Sequence, residues 1–132
     1  MNGAVPPRRI WLCADDYGIA PGVNGGIRPN ARNVGFMSDQ IPGGAEGQNQ
    51  WQVIGISREQ WKLVAAALSF GGNARVGLED NFYLEEGRMA GGNGELVEKA
   101  ARMCRDLGRE VASIGEAREL LGLPVQARTL SA

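Results

Sequence analysis

Three ionisable residues lie close together in the segment Asn73-Ala74-Arg75-Val76-Gly77-Leu78-Glu79-Asp80-Asn81. If this segment is a strand, alternate side chains share a face. Arg75, Gly77 and Glu79 then point one way, and Val76 and Leu78 the other. The apolar pair would pack under helices, and the charged pair would face a barrel interior or a cleft. Arg75 and Glu79 would stand about 13 Å apart along an extended strand. Gly77 leaves open space through which the guanidinium can reach the carboxylate. Asp80 falls at the carboxyl end of the strand, where α/β folds bind their ligands. The same pattern also fits a structural Arg–Glu ion pair beside a solvated Asp in a turn. A second acidic pair, Asp15-Asp16, ends the short apolar run Arg9-Ile10-Trp11-Leu12-Cys13-Ala14. Adjacent carboxylates raise one another's pKa and a cation relieves both, so this pair suits a metal-assisted base or two solvated acids.

Other chemistries are removed by composition. The chain contains no histidine, which excludes a Ser-His-Asp triad, a Cys-His pair and any metal site built on imidazole. Cys13 and Cys104 sit in apolar surroundings, and nothing cationic flanks Cys13, so both read as structural free thiols. Gly22-Val23-Asn24-Gly25-Gly26 lacks the GxxxxGK[ST] pattern of a phosphate loop. Trp51 and Trp61 fit core or strand–helix contacts rather than a platform for stacking bases. The formal charge of −1 argues against a dedicated nucleic-acid binder. No apolar run approaches the ~20 residues that span a bilayer, and residues 1–9 lack the apolar core of a signal peptide. Two widely separated thiols point to a reducing, cytoplasmic setting.

The elements that must position these residues follow from periodicity and punctuation. Residues 51–56 read as a strand. Ser57 and Gln60 form a capping box for a helix through Trp61, Leu63, Val64, Ala67 and Leu68 that stops at Gly71-Gly72. A strand at 74–79 and a loop from Asn81 to Gly92 come next. Asn93 caps a helix carrying Leu96, Val97, Ala100, Met103, Cys104 and Leu107, with Glu95–Lys99 and Glu98–Arg102 as supporting pairs. Gly108 ends that helix, and Val111–Ser113 is a short extended piece. Ser113 and Glu116 make a second capping box, for a helix ending at Gly122. Residues 20–50, rich in Gly, Pro and Asn, read as a long loop or a seam between sequences of different origin. Strand–helix alternation predicts an α/β fold with a parallel sheet. A complete (β/α)8 barrel needs about 250 residues, so the expectation is a partial TIM-barrel fragment: C-terminal βα units plus an isolated N-terminal strand.

From about Phe36 to Pro124 the sequence resembles the C-terminal end of the β-keto acid cleavage enzymes. The resemblance rests on Trp51–Ile56, on Gly71-Gly72 through Arg75-Val76-Gly77-Leu78-Glu79-Asp80-Asn81, on Asn93–Val97, and on Gly108-Arg109 through Ala117-Arg118. It implies a (β/α)8 barrel that binds Zn²⁺ and transfers acyl groups between a β-keto acid and acetyl-CoA, releasing acetoacetate. Glu79 matches the carboxylate zinc ligand of that family. Arg75 and Asp80 match an Arg–Asp pair that assists substrate deprotonation and holds the developing charge. The two histidines that complete the family's zinc site have no counterpart, and Asn73 stands where relatives commonly have His. Residues 8–28 are similar instead to the N-terminus of YdjC-like carbohydrate deacetylases, in which Asp15 would be the base and Asp16 a metal ligand.

Four segments are therefore expected. Residues 1–28 are deacetylase-like, 29–50 a seam or loop, 51–124 the C-terminal βα units of a β-keto acid cleavage barrel, and 125–132 a tail. The functional expectation is a zinc-dependent acyltransferase fragment, inactive alone because its histidine ligands are absent. The alternatives are a metal-dependent deacetylase using Asp15 and Asp16, or a non-catalytic remnant that self-associates through open sheet edges. Small molecules, not nucleic acid or membrane, are the expected partners.

Overall fold

The computed structural model describes residues 29–42 and 49–123. Its elements in chain order are helix α1 (Ala31–Asp39), strand β1 (Gln52–Ile54), a 3-10 turn (Ser57–Glu59), helix α2 (Gln60–Ser69) and strand β2 (Asn73–Arg75). Strands β3 (Tyr83–Glu85) and β4 (Arg88–Met89) follow, then helices α3 (Asn93–Asp106) and α4 (Ile114–Leu120). β1 and β2 pair in parallel, with Gln52, Val53 and Ile54 opposite Asn73, Ala74 and Arg75. With α2 as the crossover, they form a βαβ unit. β3 and β4 make a separate antiparallel hairpin with an irregular register between Tyr83 and Glu85. The expected α/β character is present, and the described strands form two two-stranded sheets rather than a closed barrel.

α2 organises the core because its apolar residues recur at helical spacing on two adjoining stripes. Leu63, Ala66 and Ala67 pack with Val34 of α1 and with Trp51. Val64 and Leu68 pack with Cys104, while Ala74, Val76 and Met103 border that cluster. The burial of Trp51 and Cys104 agrees with the structural roles read from the sequence. α2 stops where expected. Gly71 takes φ +82°, Gly72 N–H donates to the Ala67 carbonyl and Gly71 N–H to that of Leu68. This is a Schellman closure that only glycine enters without strain. α3 and α4 end in the same way, at Gly108 and Gly122. Arg109 then donates to the Leu68 and Gly72 carbonyls at 2.9 and 2.7 Å, tying the segment after α3 onto the end of α2.

Several local expectations are corrected. Part of the stretch read as loop is helical. Asn30 Oδ1 accepts from Asn33 N–H at 3.0 Å and starts α1, whose buried face is Val34, Gly35 and Ser38. Gly35 is a packing glycine rather than a turn marker, since a Cβ there would sit 2.8 Å from the Phe70 ring. The Ser57–Gln60 capping box does not form. Ser57 is held at φ +60° with its N–H on the Asp80 carbonyl, and Gln60 is buried. Asn93 is the first residue of α3, with Gly92 in the cap position. The Asn81–Gly92 stretch holds the β3–β4 hairpin, and Glu95 is taken by Arg88 at 3.1 Å rather than by Lys99. By contrast, Ser113 and Glu116 do form the predicted capping box at α4. Among the described residues, no helix is long and apolar enough to cross a membrane.

Candidate functional site

β2 extends only to Arg75, shorter than the strand expected over 74–79. The reason is the backbone that follows. Asp80 and Asn81 N–H both donate to the Gly77 carbonyl at 3.1 Å, which closes a turn over 77–81. Leu78 N–H donates to Asn93 Oδ1 at 2.8 Å, and Ser57 N–H to the Asp80 carbonyl at 2.8 Å. The turn is thus pinned from α3 on one side and from the β1–α2 connection on the other. Next in the chain, the buried Asn81 accepts from Tyr83 N–H and donates to the Tyr83 carbonyl, fixing the start of the hairpin.

The turn brings Arg75, Glu79 and Asp80 together at the carboxyl end of β2, where the sequence placed its strongest candidates. It does so by folding the chain back, not by strand alternation. Arg75 Nη2 pairs with Glu79 Oε1, and Arg75 Nε lies 3.8 Å from Asp80 Oδ2. The two carboxylates sit in different surroundings. The Glu79 side chain is 71% exposed and that of Asp80 only 9%. A nearly buried carboxylate beside a half-exposed guanidinium is an arrangement that can take up a proton and hold negative charge next to a bound molecule. The turn does not itself require glycine at 77, since a Cβ there would make only ordinary contacts, with Asp80 Oδ2 at 3.7 Å and Asn93 Oδ1 at 3.9 Å.

The donor set does not fit a catalytic zinc centre. Such sites use about three protein ligands. The sequence has no imidazole, Glu79 is engaged by Arg75, and no three Cys, Asp or Glu side chains converge among the described residues. Asp15, Asp16 and Cys13 lie outside the described residues.

One arrangement was not legible beforehand. Lys99 Nζ stands 4.3 Å over the Trp61 ring and donates to the Leu84 carbonyl, while Trp61 Nε1 donates to the Tyr83 carbonyl at 2.9 Å. Burial holds the Lys99 ammonium below its ordinary pKa, Glu85 opposes that shift, and Arg102 adds to it. With the Arg88–Glu95 pair and the Gly91 N–H to Glu95 bond at 2.7 Å, this contact fastens the hairpin to α2 and α3. Nothing in the sequence pairs Lys99 with Trp61, because the contact depends on how α3 packs.

Residues 17–123 match the family described as beta-keto acid cleavage enzyme. The chain is 46% identical over 94 residues to a 3-keto-5-aminohexanoate cleavage enzyme of Fusobacterium nucleatum, covering 71% of this chain and 33% of that protein. It is 42% identical over 107 residues to a protein of the same name from Acetoanaerobium sticklandii, covering 81% and 38%. A 3-oxoadipate:acetyl-CoA acetyltransferase of Cupriavidus necator is 43% identical over 74 residues, 56% of this chain and 26% of that protein. The chain spans about a third of the length of the first two relatives.

Proposed function

The chain belongs to the β-keto acid cleavage enzyme family, and on that premise we propose that it carries the C-terminal part of an acyl-transfer site acting on a β-keto acid and acetyl-CoA. The observation that supports this reading most is the gathering of Arg75 and Asp80 at the carboxyl end of β2, with Asp80 nearly buried and its Oδ2 3.8 Å from Arg75 Nε. In this reading Asp80 accepts a proton from the carbon between the two carbonyl groups of the β-keto acid. Arg75 holds the negative charge that develops on the substrate. The 3.8 Å separation is that of an ion pair rather than of an ordinary hydrogen bond. The names of the relatives support acetyl-CoA as the second substrate. Zinc is implied by the family resemblance, but these residues do not fit it, and no step here runs through a metal.

From that mismatch comes the second half of the proposal: the 132-residue polypeptide alone does not turn over. The test is to incubate the purified polypeptide with 3-keto-5-aminohexanoate and acetyl-CoA, with and without added zinc, and to measure acetoacetate. Background levels are expected in both cases. Robust zinc-dependent formation that disappears in Glu79→Ala would overturn the inactivity and the rejection of zinc together.

A further inference from the structure

We propose that Ser57 is a positioning residue for the Arg75–Asp80 pair, acting through its left-handed backbone and not through its hydroxyl. Among the described residues, Ser57 is the one non-glycine at positive φ, +60°. L residues avoid that region, and those held in it cluster at functional sites. The side chain gives no reason for the conformation. Ser57 is exposed, and the capping bond expected of its hydroxyl at the start of α2 is absent. The backbone gives two reasons. Ser57 N–H donates to the Asp80 carbonyl at 2.8 Å, and the Ser57 carbonyl accepts from Gln60 N–H at the entry to α2. The residue therefore joins the turn that carries Asp80 to the central helix of the core. The helix end of this joint cannot give way, because a Cβ on Gly55 would sit 2.5 Å from Gln60 Cα and Gln60 is fully buried. At the other end, the Asn93 bond reaches the turn at Leu78, whereas the Ser57 bond is to Asp80 itself. Relaxing Ser57 to negative φ would swing its N–H away from that carbonyl. The Asp80 carboxylate, 9% exposed and 3.8 Å from Arg75 Nε, would then lose the contact that seats it.

This inference deepens the reading above by adding the residue that seats its proton acceptor, and it rests on that reading only for the role of Asp80. The experiment uses the whole ¹⁵N-labelled polypeptide in the native sequence, Ser57→Gly and Ser57→Thr. Glycine takes the same φ without strain and has no hydroxyl, whereas threonine keeps the hydroxyl but its branched Cβ resists positive φ. Deuterium exchange of amide 57 and the Arg75 Nε–H resonance are followed, and urea unfolding verifies each fold. Ser57→Gly is expected to keep the native Arg75 resonance and the protection of amide 57, with a urea midpoint no lower than native. Ser57→Thr is expected to exchange amide 57 about ten-fold faster, the loss of one hydrogen bond, and to displace the Arg75 resonance. A purely structural role would lower the Ser57→Thr midpoint and leave the Arg75 resonance in place, which would overturn the proposal. A displaced resonance in folded Ser57→Gly would assign the effect to the hydroxyl and overturn it equally, and this arm decides alone if Ser57→Thr does not fold. No turnover is read. Failure here leaves the acyl-transfer reading of Asp80 standing, and failure of that reading leaves this coupling standing.

Discussion

Gln60 opens α2 with its side chain fully enclosed, and neither its Nε2 nor its Oε1 finds a hydrogen-bond partner among the described residues. Its neighbours one turn on, Leu63 and Val64, are equally buried, so the amide sits in an apolar setting. Leaving a buried amide unsatisfied costs about 1–3 kcal/mol. Methionine has nearly the same length and volume, packs adaptably, and matches Gln in helix propensity. Gln60→Met removes the polar penalty without opening a cavity, and is expected to stabilise the fold by about 1–3 kcal/mol. For a chain of 132 residues, 1 kcal/mol corresponds to roughly 4 °C in Tm. In urea, with a slope of about 1–3 kcal/mol per molar, the midpoint should rise by about 1 M at unchanged slope. The assay is equilibrium urea unfolding followed by tryptophan fluorescence and circular dichroism together. A midpoint that falls in Gln60→Met would show that the amide is satisfied in solution, and the reasoning from burial would fail.

Further substitutions test other parts of the account. Gly55→Ala would place its Cβ 2.5 Å from the Gln60 Cα, a backbone atom that cannot step aside, so a loss of about 1–3 kcal/mol or more is expected in the same unfolding experiment. Lys99 has a folded pKa below its ordinary 10.5, so the unfolded chain holds the proton more tightly. The penalty applies below the folded value and is relieved as pH rises toward 10.5. The stability of the native sequence relative to Lys99→Met should therefore climb between neutral and alkaline pH, and a flat difference would count against desolvation of this amine. Glu116 shifts the other way. Its hydrogen bonds to the Ser113 side chain and backbone hold the carboxyl below the ordinary 4.5, and the cap it supports is lost as pH falls through that lower value. Carbon-detected titration should give a Glu116 midpoint below 4.5 that moves back up in Ser113→Ala.

What the sequence revealed was whatever depends on a few consecutive residues. The helix stops at Gly71, Gly108 and Gly122 are local, because each needs one residue at positive φ and two backbone bonds. The capping box of Ser113 and Glu116 is local in the same sense. The matching pattern at Ser57 and Gln60 misled because tertiary contacts intervene. The Asp80 carbonyl captures Ser57 N–H, and the core takes in Gln60. α1 was hidden because its buried face contains glycine and serine, whose burial against α2 and Phe70 leaves little apolar periodicity to read. At the site, the grouping of Arg75, Glu79 and Asp80 was legible from residue type and spacing. The contrast between an exposed Glu79 and an enclosed Asp80 was not, because it arises from a turn pinned by Asn93 and Ser57 from elsewhere in the chain.

The most direct test of the central claim is a graft. Residues 49–123 of this chain replace the corresponding segment of the Fusobacterium nucleatum relative, and acetoacetate formation from 3-keto-5-aminohexanoate and acetyl-CoA is measured. The account predicts turnover by the hybrid, falling about 10²-fold or more in Arg75→Lys and in Asp80→Asn. A folded hybrid that is inactive, or whose turnover ignores both substitutions, would contradict the assignment of Arg75 and Asp80 to the acyl-transfer site.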